Sequence, residues 1–335
     1  MDFRKKVLVL DGAMGTMIQR LGLGEADFRG KEFADWDYEL KGCNDLLCLT
    51  HPQSIEQIHR AYIEAGADII ETNTFNSNAI SLADYGLADK AREIARAGAQ
   101  LARRAAEGTP TLVCGSMGPT NVSLSLGGDV DFDRMAHAYS EQAAGLIEGG
   151  ADLLMIETAF DTLNAKAAIA GVETAREMTG KNIPLMISAT LTESGRLLSG
   201  QTLRAFVNSV MHARPISIGL NCGFGADGMV EYLRELQDIP CAISCHPNAG
   251  LPDELGQYVE TPEIMEEKID RILKDKLVNI IGGCCGTNPE HIRRIAKKAH
   301  AASPRIIPEP DNNLRLSGLE ALDVAPVDFL KVGER

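Results

Sequence analysis

Two adjacent cysteines, Cys284 and Cys285, lie in the run Ile281-Gly282-Gly283-Cys284-Cys285-Gly286-Thr287. Neighbouring thiols do not readily close an ordinary disulfide with each other, because disulfide geometry wants the Cα atoms further apart than one peptide unit comfortably allows. They can both turn toward one soft metal ion. A third thiol, Cys222, lies in Gly219-Leu220-Asn221-Cys222-Gly223. Three thiolates leave a tetrahedral zinc one ligand short, and an open position is what separates a catalytic zinc from a structural one. A closed structural site would want a fourth Cys or His in compact spacing, and nothing of that form occurs. The nearest competitor is Cys241-Ala242-Ile243-Ser244-Cys245-His246. Alternate residues of a strand share a face, so Cys241 and Cys245 read as wall packing, with His246 held as an alternative ligand. Cys43, Cys48 and Cys114 read as small hydrophobes or loop thiols.

Carboxylates supply the complementary chemistry. Asp11 is followed by Gly12 in Asp11-Gly12-Ala13-Met14-Gly15-Thr16, which would let a ligand approach a carboxylate and backbone N–H groups together; the plainer reading is a helix-capping Asp. Glu157 ends the apolar run Leu153-Leu154-Met155-Ile156, where a carboxylate is costly unless it has a partner such as a substrate ammonium. Glu71, in the matching Ile69-Ile70-Glu71-Thr72-Asn73, is a second candidate. Asn248, in Pro247-Asn248-Ala249-Gly250, either offers its side-chain oxygen to the fourth metal position or simply forms a turn. Gly282-Gly283 with Gly286-Thr287 could instead cradle a phosphate. Two cysteines in mid-loop and the lack of Arg or Lys before Arg293 argue against that.

These residues need a scaffold that gathers them. Short apolar runs alternate with amphipathic helical stretches along nearly the whole chain. Strands are predicted at 7–11, 68–72, 111–115, 153–157, 185–189, 217–222, 242–246 and 279–283. Helices are predicted at 55–65, 88–106, 133–148, 162–178, 203–212, 229–237, 263–274 and 290–301. Thr261-Pro262-Glu263 and Asn288-Pro289-Glu290 each combine a capping side chain, a proline at the first helical position and an early carboxylate. Glu64-Ala65-Gly66-Ala67-Asp68 and Glu148-Gly149-Gly150-Ala151-Asp152 repeat one helix-to-strand joint, with glycines suited to helix C-caps. Near-continuously apolar strands, each followed by a helix, imply a covered parallel sheet. Eight such units predict an α/β fold, a closed (β/α)8 TIM barrel, in preference to an open doubly wound sheet. Its active site would lie at the C-terminal ends of the strands. Cys222 then ends the sixth strand and Cys284-Cys285 the eighth, on one rim, with Asp11 adjacent by closure and Glu157 across the mouth.

Composition narrows the partners. The chain of 335 residues carries 47 acidic and 33 basic side chains, a net charge of −14, so it lacks the basic face that nucleic-acid binding needs. No run approaches the roughly 18 apolar residues of a membrane span. The apolar run after Lys5-Lys6 meets Asp11 too soon for a signal-peptide core. Eight cysteines without a targeting signal fit a reducing, cytoplasmic setting and metal or thiol chemistry.

Five segments, Asp-Gly-Ala-Met-Gly-Thr (11–16), Glu-Thr-Asn-Thr-Phe (71–75), Gly-Leu-Asn-Cys (219–222), Pro-Asn-Ala-Gly (247–250) and Gly-Gly-Cys-Cys-Gly-Thr (282–287), together resemble the homocysteine S-methyltransferases. Within them the sequence is most similar to the homocysteine-binding domain of cobalamin-dependent methionine synthases, over residues 1 to about 300. The resemblance implies Zn2+ on Cys222, Cys284 and Cys285, with Asp11, Gly12 and Glu157 near the polar end of L-homocysteine and Asn248 near the metal. It further implies methylcobalamin as donor, carried by another domain of a parent chain. Residues 302–326 are proline-rich and expected to be irregular, like an interdomain linker. Asp328–Arg335 resembles the first strand of a following folate-binding domain, which would divide the chain into a barrel at 1–301 and a linker with the start of the next domain at 302–335. A stand-alone homocysteine methyltransferase using betaine or S-methylmethionine is the alternative, and a non-catalytic zinc scaffold is the alternative from another class.

Overall fold

The computed structural model describes residues 2–253, 256–331 and 333. In chain order the elements are β1 (Leu8–Val9), α1 (Met14–Arg20), α2 (Glu25–Arg29), α3 (Leu47–Thr50), α4 (Pro52–Glu64), β2 (Ile69–Glu71), α5 (Ala79–Leu82) and α6 (Ala91–Ala105). There follow β3 (Leu112–Met117), α7 (Phe132–Gly149), β4 (Leu153–Ala159), α8 (Thr162–Thr179), β5 (Leu185–Ala189), α9 (Leu203–Val210), β6 (Ser217–Gly225) and α10 (Ala226–Glu235). The chain continues through β7 (Ala242–Asn248), α11 (Pro262–Lys274), β8 (Ile280–Ile281), α12 (Pro289–Ala299), β9 (Leu314–Ser317) and β10 (Ala321–Val324).

Strands β1 to β8 are all parallel, in the order β1-β8-β7-β6-β5-β4-β3-β2. The ring closes between its two ends: Leu10 bridges Ile69, Asp11 N–H donates to Ile69 O (3.0 Å), and Asp68 N–H donates to Val9 O (2.7 Å). The expected (β/α)8 barrel is therefore the fold.

Side-chain parity along the strands separates two cores. Leu8, Leu10, Ile69, Cys114, Leu153, Met155, Met186 and Ile280 pack against one another inside the barrel. Val9, Ile70, Leu154, Ile156, Ile218, Ile243, Cys245 and Ile281 face the helices. Because Ile69 and Met155 point inward, Glu71 and Glu157, each two residues on, point inward as well, at the C-terminal rim.

The lower rim is held by polar residues at strand starts. Asp68 accepts from Val9 N–H (2.9 Å), Asp152 from Val113 N–H (2.8 Å), and Asn279 from Ile243 N–H (3.0 Å). The repeated Gly-Ala-Asp joint thus stitches each new strand to its neighbour, and Gly66 and Gly150 adopt the positive φ of +104° and +98° expected there. Thr261 and Asn288 cap α11 and α12 as their sequences predict.

Residues after α12 turn back under the barrel. Arg305 is buried, and its guanidinium donates to the carbonyls of Ile239 (2.7 Å), Gln237 (2.8 Å) and Cys241 (3.0 Å). The expectation of an irregular stretch over 302–326 is corrected at 314–324, where β9 and β10 form an antiparallel hairpin against α9. The hairpin turns its polar side inward: Asp323 pairs with Arg204 and Asn208, and Ser317 with Ser209. Leu314, Leu316 and Leu322 lie on its exposed side. The segment expected to begin a further strand at Asp328 includes Val332, Glu334 and Arg335, which lie outside the described residues.

Candidate functional site

The end of β6 departs from regular strand geometry at the first thiol. Cys222 has φ +58° and Gly223 φ +72°, two left-handed residues in a row that redirect the chain at the rim. A side chain at Gly223 would also meet Leu191 O at 2.6 Å, so only glycine fits the second position. Past β8, the loop bearing the other two thiols is fixed through its backbone. Gly283 N–H donates to Asp11 O (3.1 Å), Cys284 N–H to Pro247 O (2.8 Å), and Gly286 N–H to the Thr16 hydroxyl (3.0 Å). Thr287 donates to Cys284 O (2.7 Å) and accepts from Ala13 N–H (3.1 Å). These amides are therefore occupied by protein acceptors, which removes the phosphate-cradle reading.

The three sulfurs converge. Cys222, Cys284 and Cys285 place their Sγ atoms within 4.8 Å of one another, with Cys222 Sγ to Cys285 Sγ at 3.9 Å. Tetrahedral zinc with Zn–S bonds of about 2.3 Å sets its sulfurs about 3.8 Å apart, so the cluster fits that ion. Among the described residues it is the one group of Cys, His, Asp and Glu side chains that meets this criterion. Each sulfur also has a side-chain donor. Asn221 Nδ2 lies 3.9 Å from Cys284 Sγ, Asn248 hydrogen-bonds Cys222, and Tyr258 hydrogen-bonds Cys285. Hydrogen bonds from Cys284 and then Cys285 hold the Cys222 thiol far below its ordinary value, while both partners are pushed up in return.

A cavity of about 630 Å³ opens from the sulfurs to a carboxylate cluster on the opposite strands. Glu71, Glu157, Ser116 and Thr158 line that far side, and Arg20 is the basic residue in the described lining. Glu157 accepts from the Ser116 hydroxyl and shares a hydrogen bond with Glu71. Burial, followed by the charges of Glu157 and Asp11, raises the Glu71 carboxyl well above the usual range; burial raises Glu157 to about 7. Asp11 is also raised, by burial first, although its Oδ2 accepts Glu71 N–H (3.1 Å). One oxygen of Asp11 and one of Glu71 are buried with no partner. Three buried acidic groups, two of them with an unsatisfied oxygen, are what a cationic group would neutralise.

Of the sequence candidates, Cys222, Cys284, Cys285, Gly12 and Glu157 line this cavity, as does Glu71. Asp11 and Asn248 are buried just behind the lining. Gly12 has a packing reason to be glycine, since a Cβ there would meet the Thr287 hydroxyl at 2.7 Å. Asn248 leaves its side-chain oxygen buried and unpartnered. Cys241 and Cys245 face the helices, and Cys245 Sγ contacts Met229 Sδ at 3.3 Å. His246 is buried on β7 with Nε2 unpartnered, outside the cysteine cluster. Sequence reasoning missed Asn221, Tyr258 and Ser116. For Ser116, inward parity with Cys114 was the available signal.

A sequence model of the homocysteine S-methyltransferases matches residues 8–299. The chain belongs to the homocysteine S-methyltransferase family. Among solved structures, the metallated form of the homocysteine methyltransferase MmuM from Escherichia coli is 24% identical, with a TM-score of 0.66 over 88% of this chain and 97% of that one. Its oxidized form is 23% identical, with a TM-score of 0.68 over 87% and 96% of the two chains. At these identities the likeness to MmuM concerns the fold, and the family membership rests on the sequence match. No helix among the described residues of this homocysteine S-methyltransferase barrel is long and apolar enough to cross a membrane.

Proposed function

We propose that this barrel holds Zn2+ on Cys222, Cys284 and Cys285 and transfers a methyl group to the thiol of L-homocysteine, giving methionine. The observation that carries the reading is one cavity with three converging thiols at one side and buried, unsatisfied carboxylates at the other. An amino acid ending in a thiol has a cation at one end and a soft nucleophile at the other, and those two ends match the two sides. When bound, zinc favours the thiolate form of a substrate thiol, which is a minority species at neutral pH for a free thiol of pKa about 8.5.

The chain's own residues do the remaining work. Glu157 and Glu71 receive the ammonium, with Asp11 behind them supplying further negative charge. Tyr258, Asn248 and Asn221 each direct a hydrogen bond at one cysteine sulfur, holding the three thiols in mutual reach and spreading their charge. The substrate sulfur attacks the methyl carbon in line. The C–S bond forms as the bond to the donor's leaving group breaks, and the leaving group keeps the electron pair. The thioether product carries no thiol proton and is a poor metal ligand, so it leaves.

The methyl donor is a separate question. The E. coli homocysteine methyltransferase spans one barrel of similar length, which supports a small donor such as betaine or S-methylmethionine acting at this barrel alone. Methylcobalamin presented by another domain, alongside a folate-binding domain, is the second reading. It rests on the motif resemblance at residues 11–16, 71–75 and 282–287 and on that of the segment from Asp328. Zinc-edge X-ray absorption with and without L-homocysteine tests the metal centre. A change from three sulfurs plus one light atom to four sulfurs is expected, and an unchanged closed shell would favour the scaffold reading. Methionine formation assayed separately with S-methylmethionine, betaine and methylcobalamin then decides the donor.

A further inference from the structure

The motif Gly219-Leu220-Asn221-Cys222 contributes a thiol, and the asparagine beside that thiol has a larger part than its single sulfur contact. Asn221 is 1% exposed and lies on the inward face of β6. Its Oδ1 accepts from Thr158 N–H (2.9 Å) and from the Ser188 hydroxyl (2.7 Å). Its Nδ2 donates to Thr158 Oγ1 (2.7 Å) and points at Cys284 Sγ (3.9 Å). All four hydrogen-bonding sites of the amide are thus directed at partners on β4, β5 and the loop after β8.

Two of its neighbours are strained. Thr158, directly after Glu157, has φ +54°, and Cys222, directly after Asn221, has φ +58°. Left-handed backbone is a genuine outlier for a β-branched residue, and it persists only where the surroundings over-determine it. Here Asn221 grips Thr158 by its N–H and its hydroxyl together. The backbone that presents Glu157 to the cavity is therefore clamped by the residue that precedes one thiol and touches another.

We propose that Asn221 is a positioning residue that fixes the span between the carboxylate side and the thiol side of the cavity, and so selects thiol amino acids by chain length. This rests on the functional reading above. L-Homocysteine is one methylene longer than L-cysteine, and a cavity of fixed span discriminates a methylene by about 10–200-fold. Other side chains do not substitute for the amide. Aspartate would lose both donations and add negative charge beside the thiols, and alanine would leave Thr158 N–H without its acceptor.

The test measures binding of L-homocysteine and L-cysteine to zinc-loaded wild type and Asn221→Ala by calorimetry, with thermal melting and chelator competition for zinc run alongside. Wild type should prefer L-homocysteine by at least ~10-fold. In Asn221→Ala, L-homocysteine should weaken by ~10–100-fold while L-cysteine changes by less than ~3-fold, so that the ratio collapses. Equal losses for both ligands, or an unchanged ratio, would reduce Asn221 to a stability role and overturn the proposal. Should Asn221→Ala fail to fold, Thr158→Gly tolerates the left-handed backbone yet removes the hydroxyl. It should lower the ratio by ~3–10-fold, and an unchanged ratio there overturns the proposal equally. A wild-type protein that binds both ligands equally would overturn the span argument alone. One that binds no L-homocysteine would overturn the functional reading itself.

Discussion

Soft thiols in unusual spacing were legible from the sequence because few other roles explain Cys284 beside Cys285, and Glu157 was legible because a charge ending an apolar strand needs a partner. Asn221 and Tyr258 were not, since an amide or a phenol near a loop reads the same whether it meets water or a thiolate. Changing Cys222 to Ser removes an ionisable sulfur and should weaken zinc retention by more than ~100-fold, measured by chelator competition, with methyl transfer lost alongside. Glu157→Gln keeps the shape and loses the charge. L-Homocysteine affinity should fall by ~10–100-fold in calorimetry while zinc stays bound, and metal loss there would move Glu157 to the other side of the cavity. His59 has no part in the site but sets an acid limit. It is fully buried on α4 with both ring nitrogens unpartnered, and burial lowers its pKa from 6.5 to about 4. The native state therefore binds fewer protons than the unfolded chain across that window, so stability rises with pH from about 4 to 6.5 and is lost on acidification. The swing is roughly 3 kcal/mol. The difference in stability between wild type and His59→Leu, from denaturant titrations at several pH values, should rise by that amount across the window, because the other buried titrating groups, Asp11, Glu71, Glu157 and His246 among them, are common to both proteins. Asp45, raised to about 6 by burial, contributes the opposite slope in both proteins.

Among the elements, β5 matches its sequence reading residue for residue, because Leu185–Ala189 is a short run, apolar but for Ser188, bounded by loops at both ends. Helices α1, α2, α3 and α5, of four to seven residues, went unread since none is long enough to display an amphipathic period. They fill the long loops after β1 and β2, and α1 forms part of the cavity's rim. The pairing of β6 with β7 is where the strands tolerate least. An added Cβ at Gly219 would come within 2.0 Å of the Ser244 hydroxyl and 2.3 Å of Ser244 O. Backbone cannot yield as a flexible side chain would, so Gly219→Ala should destabilise by about 3 kcal/mol or more, read as a lowered urea midpoint. Because β6 and β7 carry Cys222 and Asn248, the same variant should also weaken zinc binding.

Over the whole molecule, eight repeated units made the barrel legible, whereas the hairpin was obscured by prolines on either side and by a polar face that turns inward. Its contacts with α9 are mainly hydrogen bonds and an ion pair at partly exposed positions, Arg204 with Asp323. Such contacts are individually worth about 0–1 kcal/mol. Deleting residues 312–335 should therefore lower the melting temperature by only a few degrees and leave L-homocysteine affinity unchanged. Loss of that affinity would tie the hairpin to the cavity. The join between β1 and β2 has the opposite character. One bridge and two backbone hydrogen bonds complete the ring there, and Asp11, whose carboxylate accepts Glu71 N–H across the same join, adds a further stitch. An amino acid held by Glu71 and Asp11 would span this seam like a clasp. Deuterium uptake at the Asp11 and Glu71 amides should then slow on ligation while β5, which sends no side chain into the cavity lining, keeps its own clock.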